Sequence, residues 1–204
     1  MLSFSFTTNN EKEETYRPIQ ELNSDSRFIG LLQDQLQLVN NAKDLKTLAS
    51  YDSKENLSNA DINKISTLLG YKSRAAYESA VKSKVTVIKA LEKDYNLSKY
   101  SKEQLTQISL TTMNSRSFKA VMPTIIDGDT GGDTSECERL CENSRIACIA
   151  AAAAAATAGH VACLAADTTI ILGIACHAAV AATQAAVSHQ CNTTAAQCVH
   201  ACRN

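Results

Sequence analysis

Apolar positions recur at helical spacing along most of the first half of the chain. Phe28, Leu31, Leu32, Leu36, Leu38 and Val39 follow Asn23-Ser24-Asp25, a run with N-cap chemistry. Ile62, Ile65, Leu68 and Leu69 follow Ser58 and Asp61, and Gly70 stands where a glycine would terminate that helix. Ala76, Tyr77, Ala80, Val81, Val85, Ile88 and Leu91 mark a third helix from Ser73 to Tyr95, with Asn96 as its stop. Ser101 and Gln104 form a capping-box pair ahead of Leu105, Ile108 and Leu110. The pattern predicts a flexible polar stretch over 1–22 and a small helical domain over 23–111. Residues 112–132 then carry Pro123, three glycines and few helix formers, which reads as an exposed linker open to proteolysis.

Beyond that linker the pattern changes kind. Alanine supplies 22 of the last 72 residues, and no charged residue occurs from Ile146 to Ala166 or from Thr168 to Cys202. All 13 lysines and all 10 aromatic residues lie before residue 133, whereas all 8 cysteines and all 4 histidines lie after it. The near-neutral formal charge of −1 excludes a strongly basic nucleic-acid binder. The first 132 residues contain no histidine or cysteine, and no nucleophile–base cluster stands out, so no enzyme and no cofactor are expected.

The cysteines are Cys137, Cys141, Cys148, Cys163, Cys176, Cys191, Cys198 and Cys202, and the gaps between them read 3, 6, 14, 12, 14, 6 and 3. This palindrome is what two equal antiparallel rods require. It selects Cys137–Cys202, Cys141–Cys198, Cys148–Cys191 and Cys163–Cys176 from the many pairings that eight cysteines allow. At about 100° per residue the four cysteines of each arm fall within one face about 80° wide. Alanine favours the helix and permits the close approach that a disulfide needs. The expected fold is therefore all-α, with an N-terminal helical domain followed by a hairpin over 133–204 (helices 137–165 and 174–202) stapled by four nested disulfides. Staples suit a two-helix unit with no real core, and they imply an oxidising compartment. A zinc site is the rival reading, in which His160, Cys163, Cys176 and His177 converge near the turn. Mirror partners for every cysteine favour disulfides and no metal, with the histidines as polar positions on a helix surface.

Gly131-Gly132, directly before the cysteine-rich segment, resembles the double-glycine processing site of bacterial peptide precursors exported by peptidase-containing ABC transporters. The chain as a whole resembles bacteriocin precursors in organisation. The mirrored pairs Cys137/Cys141 and Cys198/Cys202 resemble those of plant α-hairpinin peptides. These resemblances imply a secreted, membrane-active antibacterial peptide cut from a cytoplasmic precursor by an exporter or protease that reads the leader. The leader would keep the product soluble and inactive, or serve as a fused immunity domain. The N-terminus lacks the basic and apolar regions of a secretory signal peptide, so export with leader removal is the expected route. Ile170, Ile171, Leu172 and Ile174 form the apolar tip of the predicted hairpin, opposite a charged base, and suit insertion into a target membrane or docking on a membrane receptor; the other reading packs the tip against the leader helices or a partner protein. Two other readings are an ice-binding hairpin using Thr157/Thr168 and Thr183/Thr194 at eleven-residue spacing, and a self-associating structural module.

Overall fold

The computed structural model describes residues 16–52, 54, 56–115, 118, 136–166 and 170–203. The described residues form helices and turns without a strand. A 3-10 turn at Ile19–Ser24 leads into α1 (Ser26–Asn41), followed by α2 (Leu45–Ala49), α3 (Asn59–Leu68), α4 (Arg74–Tyr95) and α5 (Lys102–Met113). The cysteine-rich segment contributes α6 (Glu136–Ala162), a 3-10 turn at Cys163–Ala166, and α7 (Ile170–Cys202).

Local chemistry sets the helix ends. Asp25 caps α1 by accepting from the Arg27 backbone N–H. Ser58 and Asp61 complete a reciprocal capping box at the start of α3, and Ser101 and Gln104 do the same for α5. Ser73 caps α4, which ends at Asn96 in the left-handed region (φ 51°). Gly70 turns the chain after α3 with φ 89°, and a Cβ there would lie 3.0 Å from the Asn41 carbonyl oxygen. Only glycine fits that turn without strain. The short α2 lies in a stretch where periodicity predicts no helix. Its signal is the Asp44 cap on Thr47, and five residues are too few to display a helical period.

Two apolar cores bind the compositional halves together. The first gathers Leu22, Phe28, Leu32, Ile88, Leu91 and Tyr95 against Ile149, Ala153, Ala154, Ala158 and Val161 of α6. The second sets Leu38, Leu48, Ile62, Ile65, Tyr77 and Val81 against Ile174, Ala178, Ala181 and Ala185 of α7. The composition explains this division. The N-terminal helices supply bulky leucine, isoleucine and aromatic side chains, while α6 and α7 supply flat alanine surfaces for them to cover. Such a fit buries apolar area on both sides, at about 25 cal/mol per Å². A clamp reinforces the N-terminal layer: Arg27 donates to Asp25 (2.6 Å) and Asp94 (2.7 Å), while the Tyr95 hydroxyl donates to Asp25. These bonds hold the Asp25 carboxyl at about 2, below the usual carboxylate range, the Arg27 guanidinium being the main cause.

Candidate functional site: the disulfide-linked helix pair and its buried histidines

Three disulfides join α6 to α7, Cys137–Cys202, Cys141–Cys198 and Cys148–Cys191, and a fourth, Cys163–Cys176, ties the 3-10 turn after α6 to α7. Early residues of α6 pair with late residues of α7, so the two helices run antiparallel. Cα–Cα separations of 5.7–5.8 Å lie within the range a disulfide spans. Small residues permit this proximity. A Cβ added to Gly159 would come within 3.1 Å of Val180 Cγ2. At the open end the two outer rungs stack, with Cys141 Sγ 3.6 Å from Cys202 Sγ. Arg203 Nε donates to Glu138 beside them, and Arg145 forms a bidentate pair with Glu142.

The other end of the pair departs from expectation. The expected helix bounds of 165 and 174 give way to a 3-10 turn from Cys163 and to an α7 that begins at Ile170. His160 and His177 do not lie on the helix surface: they are 2% and 1% exposed. Their Nδ1 atoms stand 2.7 Å apart, and Lys84 of α4 brings its Nζ to 3.3 Å from His160 Nε2. An ammonium can only donate, which determines the remaining hydrogens. Lys84 donates to His160 Nε2, so His160 carries its proton on Nδ1 and donates to His177 Nδ1, and neutral His177 holds its proton on Nε2.

This chain excludes a second proton. Burial, then the Lys84 charge, then His177 push the His160 pKa well below that of an ordinary histidine. Burial likewise lowers Lys84 to about 8, partly opposed by Asp34. The Lys84 stem lines a cleft of about 510 Å³ with Asp34, Gln37, Asn41, Lys43 and Tyr71. No local motif announces Lys84, since its partner is 76 residues away. The pairing of His160 with His177 had a weaker signal, their near-mirror positions beside the Cys163–Cys176 rung.

Elsewhere the surface between α7 and the N-terminal helices is imperfectly satisfied. Gln184 Nε2 donates to the Gln35 carbonyl at 2.9 Å. Gln35 Oε1, Gln184 Oε1 and Ser188 Oγ are buried without a hydrogen-bond partner. Each such atom costs about 1–3 kcal/mol. Apolar contact therefore holds the two layers together against a polar penalty.

Of the predicted tip residues, Ile174 is 5% exposed and packs in the second core. The side chains of Ile170, Ile171 and Leu172 lie outside the described residues, as do Gly131 and Gly132. Thr157 is buried and its hydroxyl donates to the Ala153 carbonyl, so it presents no exposed face. Glu136–Ala165 contains an 18-residue window apolar enough to cross a membrane, with a mean hydropathy of 1.8, and 56% of that window is buried in the fold. Four disulfides fit an oxidising environment. Compared with known proteins, the chain matches no family model, no curated protein and no solved structure.

Proposed function

We propose that the chain is the precursor of a secreted, disulfide-stapled antibacterial peptide, in which the N-terminal helices act as a leader that masks the apolar faces of a helical hairpin over 133–204. One observation carries the reading. Every disulfide closes within the C-terminal segment, whereas the N-terminal helices hold that segment by non-covalent contact alone. Cutting the connection would leave a covalently intact hairpin whose alanine and isoleucine faces, Ile149, Ala153, Ala178 and Ala181 among them, lose their cover. A freed rod with an apolar surface of this kind partitions to membrane interfaces, and the target is a bacterial membrane. The processing protease or exporter would recognise the helical leader and cut at Gly131-Gly132.

The test compares the oxidised full chain with the same chain cut by a protease in the linker and separated. Dye release from anionic lipid vesicles and growth of a bacterial panel are the readouts. The intact chain should be inert and the freed hairpin active, and adding back the N-terminal fragment should suppress the activity. A freed hairpin with four disulfides, verified by mass, that is inert on vesicles and on every strain would refute the reading.

A further inference from the structure

Cysteines at i and i+4 on both helices converge at the open end of the pair. Cys137 and Cys141 lie on α6, Cys198 and Cys202 on α7. The sulfurs of Cys137, Cys141 and Cys202 all lie within 4.8 Å of one another, and Cys198 is bonded to Cys141. The Cys141–Cys202 sulfur separation is 3.6 Å, although no bond joins them. A tetrahedral zinc tetrathiolate with Zn–S bonds of about 2.3 Å has sulfur–sulfur edges of about 3.8 Å. Cys141 and Cys202 thus already stand at nearly one edge of a closed zinc site, Cys137 lies within 4.8 Å of both, and Cys198 is tied to Cys141; reduction of the two disulfides leaves the four sulfurs free to spread to the remaining edges.

We propose that, before its thiols are oxidised, the chain binds one zinc ion through Cys137, Cys141, Cys198 and Cys202. Binding releases four protons from the four thiols and leaves a site of net charge −2. Arg203 and Arg139 are the cations nearest in sequence to the ligands, and Cys137 and Cys198 are exposed enough for a metal to enter. The zinc pins the open ends of the two helices in the register that the disulfides later hold. It also keeps four thiolates from premature reaction while they await the correct partner. Conversion to the oxidised form is balanced when two molecules of a disulfide-type oxidant accept four electrons from the four thiolates and four protons from solvent. Two protein disulfides form, four oxidant thiols are produced and Zn²⁺ is released. The middle rung, Cys148–Cys191, has no neighbouring sulfur pair within its own turn of helix. At the turn end, His160 is already hydrogen-bonded to both His177 and Lys84. Neither rung offers a comparable set.

The experiment uses the full chain prepared reduced and without oxygen, titrated with Zn²⁺ against a chromophoric chelator and with Co²⁺ as a spectroscopic probe. One equivalent should bind, and cobalt should show the charge-transfer and visible bands of a tetrahedral tetrathiolate. Adding zinc to the reduced chain should slow alkylation of Cys137, Cys198 and Cys202, as read by peptide mass, and leave that of Cys148 unchanged. The double variant Cys137→Ser/Cys202→Ser should lose the bound equivalent, and Cys148→Ser/Cys191→Ser should retain it. The proposal is overturned if no zinc binds the reduced wild type. It is equally overturned if the cobalt spectrum reports nitrogen ligands and shielding falls on Cys163 and Cys176. Neither readout involves antibacterial activity, so this result and the test of the precursor reading stand or fall separately.

Discussion

Replacing Lys84 with methionine removes the ammonium that reaches His160 while keeping a side chain of similar reach. Burial lowers the Lys84 pKa from its ordinary 10.5 to about 8 in the folded chain. Below pH 8 both folded and unfolded states hold the proton, and the folded state bears the whole cost of burying the charge. Between about pH 8 and 10.5 the unfolded state binds more protons, so stability rises with pH by about 1.4 kcal/mol per unit. The full gain is about 3 kcal/mol, an upper figure because water in the cleft reaches part of the side chain. Loss of the Lys84–His160 bond is a nearly constant offset of about 1–2 kcal/mol. The wild type should therefore gain stability relative to Lys84→Met as pH rises across this window. Urea unfolding with disulfides intact, followed by circular dichroism, measures the difference, and the subtraction cancels the titration of every other lysine and tyrosine. Stability curves for the two proteins that remain parallel would refute the buried-ammonium account.

Acid should destabilise the fold through His160. His160 titrates well below its unfolded value of 6.5, so its contribution is present above pH 6.5 and lost as pH falls toward its folded pKa; urea midpoints should drop between about pH 7 and 5, and less so in His160→Gln. Gly159→Leu should destabilise by about 1–3 kcal/mol because a side chain there meets Val180 at 3.1 Å, and adding Val180→Ala should recover part of the loss in thermal melts. Ser58→Ala breaks the capping box of α3 and should cost about 1 kcal/mol in urea unfolding. Removing Cys163–Cys176 as a serine pair frees a loop with a sequence separation of 13 and should cost about 3 kcal/mol. Removing Cys137–Cys202 should cost no more, despite its separation of 65, because Cys141–Cys198 still closes the chain one helical turn inside it; a much larger loss in denaturant melts would contradict this.

The sequence by itself determined the features that depend on neighbours along the chain or on symmetry. Capping residues at Asp25, Ser58, Ser73 and Ser101, and stops at Gly70 and Asn96, are local chemistry, so helix positions were legible. The mirror spacing of the cysteines carries long-range information because two equal antiparallel rods bring equally distant positions together. Only the tertiary structure decided which faces of those rods are covered. The alanines of α6 and α7, 10 of 27 and 10 of 33 residues, are spread around both helices and give no apolar stripe to read, so Ala153 and Ala178 are sequence-equivalent to alanines left exposed. The Lys84–His160–His177 chain was hidden for the same reason. It exists because α4 crosses the helix pair at that level, and a histidine on an alanine helix looks solvent-facing until a neighbour buries it. The stacking of the two outer rungs is likewise a distance between helices, which spacing along each helix suggests but cannot measure.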